Sequence, residues 1–272
     1  MPELPEVETI RRDLIKLVVG KKVLDIKTDS PKQVKPSLAT VKKAIVGASI
    51  KKIERRAKLL QIFFSNNRVL IIHLKLTGRL LVREAGAVED KWQHVVLFLS
   101  GNKELRFTDL RKFGWVKLLK DQNELEEILS GFGPEPLNDL DFNKFKEILA
   151  STARAIKVLL MDQKKISGIG NIYACDALLL AKIHPEKRAK ELKEVEAKRL
   201  FTAVEKVLKA GIKYRGASDQ YYLDALGHKG SYQDHFLAYG RAGEKCFKCD
   251  GIIDKMKLGG RGTYFCPKCQ KK

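Results

Sequence analysis

Residues 154–181 read RAIKVLLMDQKKISGIGNIYACDALLLA, two apolar helical runs on either side of a glycine-containing turn. The turn is Ser167-Gly168-Ile169-Gly170-Asn171, and its glycines allow a tight bend and a close approach of the backbone to a ligand. We predict that Asn171 caps the second helix, whose first N–H groups suit a phosphate. Taken alone, the pattern fits either a helix-turn-helix that binds nucleic acid or an ordinary helical hairpin, and the hairpin is the commoner of the two.

The sequence on either side of this element predicts an α+β protein. Helical periodicity is found at 141–150, 153–161, 171–181 and 193–211, after a boundary rich in glycine and proline at 131–136. Before that boundary, an amphipathic helix at 5–17 precedes a block of short strands, which favours a β-sandwich. The strands are predicted at 22–28, 49–55, 58–64, 68–82, 94–99, 103–108 and 114–119, and in the longest Leu70, Ile72, Leu74 and Leu76 share one face.

The charge of the chain indicates a polyanionic partner. It carries 53 Lys and Arg against 33 Asp and Glu, a net charge of +20, and neutralised phosphates release counterions that drive binding. DNA, RNA and an anionic membrane all satisfy the charge alone. No apolar run approaches the roughly 18 residues of a membrane-spanning helix, and the first residues lack a signal-peptide pattern. We therefore expect no membrane partner and a cytoplasmic location.

Four of the five cysteines form a metal-binding pattern near the end of the chain. Cys246, Cys249, Cys266 and Cys269 have the spacing Cys-x2-Cys-x16-Cys-x2-Cys. Four thiolates complete a tetrahedral Zn²⁺ shell and leave no open position, so the predicted ion is structural. The spacer is long enough for a hairpin, and Arg261 projects from its glycine-rich tip either as a contact to nucleic acid or as an exposed arginine with no role. Cys175 is predicted to be a buried, inert thiol.

The first residues offer a nucleophile. Removal of Met1 would expose the secondary amine of Pro2, and an α-amino group has a pKa near 8, well below that of lysine. A secondary amine that condenses with a sugar aldehyde carbon forms an iminium ion, which acidifies the neighbouring sugar hydrogens and promotes elimination of phosphate. Glu3 then lies where a general acid or base is needed. A plain helix entry with two prolines explains the same residues without chemistry.

Several motifs together resemble the bacterial formamidopyrimidine-DNA glycosylase family. They occur in the family's order and extend from residue 2 to residue 270, so the resemblance covers almost the whole chain. The motifs are Pro2–Thr9, Arg56–Lys58, His73–Gly78, Asp109–Gly114, Ser167–Tyr173, Tyr239–Arg241 and Arg261–Gln270.

The resemblance implies three domains and a bifunctional glycosylase and lyase for oxidised purines. The expected domains are an N-terminal β-sandwich flanked by helices at 1–133, a helix-two-turn-helix domain at 134–240 and a zinc-finger hairpin at 241–272. The expected partner is double-stranded DNA with an oxidised base or abasic site, bound in a cleft by a monomer. One structural Zn²⁺ is the only cofactor implied.

The same resemblance assigns roles to residues of this chain. Pro2 corresponds to the Schiff-base nucleophile and Glu3 to its acid/base partner; Glu6 also belongs to the catalytic set, as does Lys58, which grips a phosphate. Arg111 faces the orphaned cytosine, and Phe113 enters the duplex beside it, because side chains must fill the space left by an extruded base. The expected DNA-binding residues are His73, Leu76, Arg111, Phe113, Asn171, Tyr239 and Arg261, and the metal ligands are Cys246, Cys249, Cys266 and Cys269.

The chain departs from the family pattern in two places. The family usually has His-Leu-Gly-Met-Ser/Thr-Gly where this chain has Lys75 and Leu76, and leucine retains the apolar wedge while Lys75 offers an added phosphate contact. The run at 216–222 lies in the loop that covers the extruded purine, and it replaces several family residues. We expect substitutions at Gln220 and Tyr221 to affect 8-oxoguanine more than formamidopyrimidine, which should be excised at least as fast.

Two other functions compete with this prediction. An enzyme of the endonuclease VIII type prefers oxidised pyrimidines, and the retained Arg111 and Phe113 favour the purine type instead. A lesion-binding protein without turnover is the second alternative, and Pro2, Glu3 and Glu6 argue against it.

Overall fold

The computed structural model describes residues 1–219 and 221–272 and divides into two compact units. The first consists of Met1–Ser130 and Tyr214–Ser231, and the second of Gly131–Lys213 and Tyr232–Lys272. The first unit therefore includes a later segment of the chain, Tyr214–Ser231, which interrupts the second unit in sequence. No feature of the sequence pattern indicated this. The division into three domains with boundaries at 133 and 240 stays a prediction.

The first unit contains two β-sheets, a long helix and two shorter ones. The helices are α1 (Leu4–Val18), α2 (Leu38–Ile45) and α3 (Gln122–Ser130), and the strands are β1 (Val23–Thr28), β2 (Val34–Lys35), β3 (Ile50–Arg56), β4 (Leu59–Phe64), β5 (Val69–His73), β6 (Gly78–Glu84), β7 (Gln93–Leu99), β8 (Lys103–Asp109) and β9 (Trp115–Leu118). One sheet has the order β1-β7-β8-β6 and the other β2-β9-β5-β4-β3. All pairings are antiparallel except that of β2 with β9.

A single apolar core joins the two sheets to α1. It includes Val7 and Leu14 from the helix, Leu70 from the five-stranded sheet and Leu97 from the four-stranded sheet, all no more than 2% exposed. Burial of these side chains is the main stabilising contribution that the unit offers against chain entropy. The helix predicted at 5–17 is confirmed, and so is the sandwich of short strands.

The continuous strand predicted at 68–82 is wrong. The segment forms two strands, β5 and β6, which belong to different sheets. Between them the chain reverses, with the Gly78 N–H donating to the Leu74 carbonyl oxygen at 3.0 Å. Lys75 takes a left-handed φ of +53° at this turn. The apolar alternation hid the break because Leu74 enters the core, whereas Leu76, predicted on the same face, is only half-buried.

Two α-helices and one strand among the described residues of the first unit were not predicted. They are β2, α2 and α3, which are short or mostly polar. The N-terminus of α2 is fixed by Ser37, whose Oγ accepts the Thr40 N–H at 3.2 Å. A serine cap before a weakly apolar run of eight residues is a real signal, but it is too short to stand out by periodicity.

The second unit is helical and ends in a β-hairpin. Its helices are α4 (Phe142–Ala150), α5 (Ile156–Leu160), α6 (Asn171–Ala181) and α7 (Glu194–Lys213), and its strands are β10 (Asp254–Leu258) and β11 (Arg261–Phe265). Cys175 is fully buried in α6, as predicted. These elements confirm the α+β class with a helical part and a terminal hairpin. Among the described residues, no helix is both long and apolar enough to cross a membrane.

Two details of the helix pair differ from prediction. Helix α5 is shorter than the predicted 153–161, because the chain before Ile156 is extended and Ala155 forms an isolated bridge with Arg188. The cap of α6 is Gly170, and Asn171 is the first helical residue. The predicted capping role of Asn171 is therefore wrong, and its side chain is used elsewhere.

Candidate active site

The N-terminal residues are buried where α1 begins. Pro2 is buried and precedes Glu3, the N-cap residue, which is 2% exposed. The Glu6 carboxylate, 1% exposed, accepts the Glu3 N–H at 2.7 Å through Oε2. This bond belongs to a reciprocal capping box, which fixes the backbone directly after Pro2. The position of the proline amine is therefore tied to the Glu6 carboxylate.

The other oxygen of Glu6 reaches a distant part of the sequence. Oε1 accepts the Ala217 N–H at 2.8 Å, at the start of the run 216–222. Gly216 has a φ of +84°, and a Cβ there would lie 2.8 Å from Glu6 Cγ, so this approach requires glycine. Tyr222 Oη lies 3.4 Å from the Glu6 carbonyl oxygen as a donor. Burial, reinforced by the Glu6 charge, raises the pKa of Tyr222 and keeps that hydroxyl protonated.

Lys58 and His73 come together at the ends of adjacent strands. Leu59 pairs with His73 in the β4–β5 register, which places Lys58 beside the imidazole. Lys58 is 7% exposed. Burial, together with the charges of Lys75 and Lys58, lowers the pKa of His73 to about 4. His73 is thus neutral at pH 7, and its Nδ1 accepts the Lys75 N–H at 2.9 Å. The proton therefore resides on Nε2, which is available as a donor.

Arg111 and Phe113 lie on a turn that one buried carboxylate organises. Asp109, 1% exposed, accepts the Arg111 N–H at 3.2 Å and the Gly114 N–H at 2.7 Å. Asp109 also accepts a hydrogen bond from the hydroxyl of Thr77, the residue that follows Leu76. Phe113 is 54% exposed, and the Arg111 guanidinium carbon lies 4.8 Å from its ring centroid. A rigid turn that presents an aromatic ring to water is suited to insertion into a partner.

In the second unit, a buried lysine connects Asn171 to the hairpin. Lys157, 1% exposed, donates from Nζ to Asn171 Oδ1 at 2.6 Å and to Thr263 Oγ1 at 2.7 Å. Asn171 Nδ2 in turn donates to the Gly262 carbonyl oxygen at 3.0 Å. The start of α6 is thereby held against the residue next to Arg261, which is exposed. Lys157 was not predicted as a site residue, although a lysine among the apolar residues of a short helix is a visible signal.

Tyr239 is positioned by a buried aspartate of α6. Asp176, fully buried, accepts the Tyr239 N–H at 3.0 Å and the Tyr232 hydroxyl at 3.1 Å. The ring of Tyr239 packs against Tyr264 of β11, with centroids 5.3 Å apart. Tyr239 is half-buried and lies against the hairpin through its contact with Tyr264.

The four paired cysteines converge at the base of the hairpin. Their sulfurs all lie within 4.8 Å of one another. The separations of Cys246 from Cys269 and of Cys249 from Cys266 are 3.9 and 3.6 Å. A tetrahedral zinc–thiolate site has sulfurs about 3.8 Å apart, given Zn–S bonds near 2.3 Å. The donor set therefore fits one structural Zn²⁺, as predicted.

Comparisons with known proteins identify the family. The family model for the formamidopyrimidine-DNA glycosylase N-terminal domain matches residues 1–116, and that for its H2TH domain matches residues 132–222. A model described as a zinc finger found in FPG and IleRS matches residues 243–272. The chain is 40% identical to formamidopyrimidine-DNA glycosylase of Streptococcus mutans over 273 residues, which cover 100% of both chains. This chain belongs to the formamidopyrimidine-DNA glycosylase family.

Other members of the family agree with this assignment. The formamidopyrimidine-DNA glycosylase of Herpetosiphon aurantiacus is 42% identical over 275 residues, 99% of this chain and 100% of its own. The crystal structure of a Lactococcus lactis FPG variant with a Fapy-dG containing DNA superimposes with a TM-score of 0.93 at 38% identity, with full coverage of both chains. A Lactococcus lactis Fpg complex with abasic-site DNA gives 0.93 and 38%, over 99% of this chain and 100% of its own.

Within each unit, the predicted site residues fall into small groups. The first unit brings Glu6 together with the N-terminus, Lys58 with His73, and Arg111 with Phe113. The second brings Asn171 together with the residue adjoining Arg261. Gln220, which we predicted to influence lesion choice, lies outside the described residues.

Proposed function

We propose that this protein excises oxidised purines from DNA and then cleaves the strand at the resulting site, with Pro2 as the nucleophile. The observation that carries the proposal is the N-terminal arrangement: Pro2, Glu3 and Glu6 are buried together at the start of α1 in a chain that belongs to this family. Burial strips a carboxylate of its hydration, so two buried carboxylates directly after the proline favour a functional site in addition to their capping of α1. The relatives are bacterial, and we place this activity in the bacterial cytoplasm.

The first step replaces one bond to the sugar by another. After removal of Met1, the lone pair of the Pro2 nitrogen attacks C1′ of the damaged nucleoside, and the bond from C1′ to the base breaks. The base leaves with the electron pair of that bond and takes up a proton. The amine loses its own proton, and the bond from C1′ to the ring oxygen O4′ then breaks. O4′ keeps that electron pair and takes up a proton, which leaves the iminium ion between C1′ and the Pro2 nitrogen. Glu3 follows Pro2 directly in the sequence and is assigned these proton transfers.

Strand cleavage then follows from the electron demand of the iminium ion. Loss of a proton from C2′ sends electrons towards nitrogen and expels the 3′ phosphate, which is β-elimination. A second elimination expels the 5′ phosphate and leaves a one-nucleotide gap flanked by phosphates. Glu6 acts as a positioning residue, because its carboxylate accepts the backbone N–H groups of Glu3 and Ala217. Hydrolysis returns the free Pro2 amine.

The remaining residues hold the DNA. Lys58 supplies a positive charge, and neutral His73 supplies a donor that does not depend on pH near neutrality. Asn171 and Arg261 contribute from the helical unit and the hairpin. The zinc site supports the hairpin and takes no part in the reaction, because its ligand shell is filled by protein.

Arg111 is assigned to the base opposite the lesion. Its guanidinium offers two donors in a plane, which match the acceptors O2 and N3 of an unpaired cytosine. Adenine presents a donor at the matching edge and is rejected. A good bidentate contact discriminates by about 1–3 kcal/mol, or roughly 5- to 150-fold in rate.

One lesion panel tests this proposal. Single-turnover base release is measured on duplexes that carry formamidopyrimidine, 8-oxoguanine or an oxidised pyrimidine, each opposite cytosine or adenine. We expect excision of both purine lesions opposite cytosine, formamidopyrimidine at least as fast as 8-oxoguanine, and weak excision opposite adenine. Release of the pyrimidine lesion alone would assign the chain to the endonuclease VIII type. Binding without base release would make it a lesion-binding protein.

A further inference from the structure

The run 216–222 is part of a segment that folds with the first unit. Tyr214–Ser231 belongs to that unit, and the part after residue 220 lies beside β6, the edge strand of the four-stranded sheet. The Val82 N–H donates to the Ala225 carbonyl oxygen at 2.8 Å, and Arg83 Nη1 donates to the Leu226 carbonyl oxygen at 3.0 Å. The segment is therefore attached to a strand rather than left as a solvated connector.

Tyr221 has two attachments of its own within this segment. The Arg79 guanidinium, on β6, donates from Nε to the Tyr221 carbonyl oxygen. The Tyr221 ring meets Trp92 edge to face, with centroids 6.5 Å apart and an interplanar angle of 76°. Burial lowers the pKa of Arg79, so its guanidinium depends on acceptors where it lies. One contact fixes the backbone of Tyr221 and the other its side chain.

Trp92 provides a fixed surface for that ring. Its backbone has a left-handed φ of +61°, and its carbonyl oxygen accepts the N–H of buried Asp109 at 2.9 Å. Lys91 Nζ lies 4.7 Å from the centroid of the indole. Neither Arg79 nor Trp92 has a role in the proposed mechanism. Both contact Tyr221, which lies in the run 216–222 that departs from the family pattern.

We propose that Arg79 and Trp92 are positioning residues that hold Tyr221, and through it the neighbouring residues that the structure describes, in the conformation that selects the extruded base. This inference rests on the proposed function. A loop that is already held loses less conformational entropy when it closes on a base. The benefit is largest for 8-oxoguanine, which differs from guanine by few groups and depends on loop contacts. It is smaller for a ring-opened base, which pairs and stacks poorly and is partly selected before the loop engages.

The test compares substrates with and without a base to recognise. Arg79→Met removes the donor at similar length, and Trp92→Leu removes the aromatic contact. Arg83→Met is the control, because it removes a bond from β6 to a backbone carbonyl of the segment outside 216–222, together with the Arg83 ion pair to Asp90. Each variant is assayed for 8-oxoguanine and formamidopyrimidine release, and for borohydride trapping on a preformed abasic site, where no base needs covering.

We expect Arg79→Met and Trp92→Leu each to lower the ratio of 8-oxoguanine to formamidopyrimidine excision about tenfold, a typical effect of losing such a contact. Abasic-site trapping should stay within about twofold, and Arg79→Lys, which keeps a donor, should restore most of the ratio. Equal losses on all three substrates, or the same ratio change in Arg83→Met, would overturn the inference. Absence of trapping by the wild-type chain would instead refute the proposed function itself.

Discussion

Replacement of Glu6 by glutamine tests whether this carboxylate positions the site. Glu6 is 1% exposed and accepts two backbone N–H groups, from Glu3 at 2.7 Å and from Ala217 at 2.8 Å. Glutamine has the same shape but only one acceptor oxygen, so one of the two N–H groups must face an NH₂ group. A buried donor left without an acceptor costs about 1–3 kcal/mol, and the surviving bond loses its charge assistance. We expect Glu6→Gln to lower the free energy of unfolding by about 2–3 kcal/mol.

The catalytic effect should be comparable in free energy to the effect on stability. A displacement of about 1 Å at a reacting group can cost roughly 100-fold in rate, and Glu6 fixes the backbone on which Pro2 is placed. Urea unfolding and single-turnover excision of formamidopyrimidine measure the two effects, under conditions in which the variant is folded. Glu124→Gln is the control, because Glu124 also accepts a backbone N–H, from Lys120 at 2.7 Å, on α3. A Glu6→Gln protein with unchanged stability and rate would refute the positioning role.

Three further outcomes follow from the structure. Lys75→Gly should raise the free energy of unfolding, measured in urea, by about 0.5–1 kcal/mol, because glycine takes the left-handed conformation without strain. A destabilised variant would contradict the strain at Lys75. If the Lys75 ammonium contacts a phosphate, the same variant should also weaken the salt dependence of DNA affinity by about one unit. Cys249→Ala should lose zinc and DNA affinity, whereas Cys175→Ala should keep both, as measured by metal analysis and DNA titration; metal retained in the first would contradict the site. Burial alone would raise the pKa of Glu8, but hydrogen bonds from neighbouring arginines bring it from an ordinary 4.5 to about 2. Its stabilising effect is therefore complete above pH 4.5 and is lost as the pH falls towards 2. After discounting for solvent screening it is worth about 2 kcal/mol, so Glu8→Gln should remove that part of the acid dependence of unfolding, and an unchanged profile would contradict the assignment.

The sequence predicted those features that local chemistry decides. The four cysteines could be assigned to a metal because thiolate pairing needs only spacing, and α1 could be placed because its apolar residues repeat at helical intervals. Several site residues came from the family resemblance, and their roles are still predictions. The wrong strand at 68–82 shows the limit of periodicity. Leu74 continues the alternation into the turn, so the pattern could not show that the chain changes sheets there.

Other features depend on contacts between residues far apart in the sequence. Nothing near Ala217 indicates that its N–H meets Glu6, and nothing near Lys157 indicates that its ammonium joins Asn171 to Thr263. The departure at Lys75 has a conformational consequence, because this position, where the family usually has glycine, takes a positive φ in this chain. The departure was visible in the sequence, but the strain was not, because it follows from the reversal between two sheets.

Locating the reactive amine shows directly whether Pro2 is the nucleophile. The wild-type chain is trapped with borohydride on an abasic-site duplex and digested, and the peptide that carries the sugar remnant is identified by mass. We expect the adduct on the peptide that begins at Pro2. A chain that retains Met1 or carries Pro2→Gly should lose most of the trapping and still bind DNA. An adduct on Lys58, or undiminished trapping in the chain that retains Met1, would contradict the account.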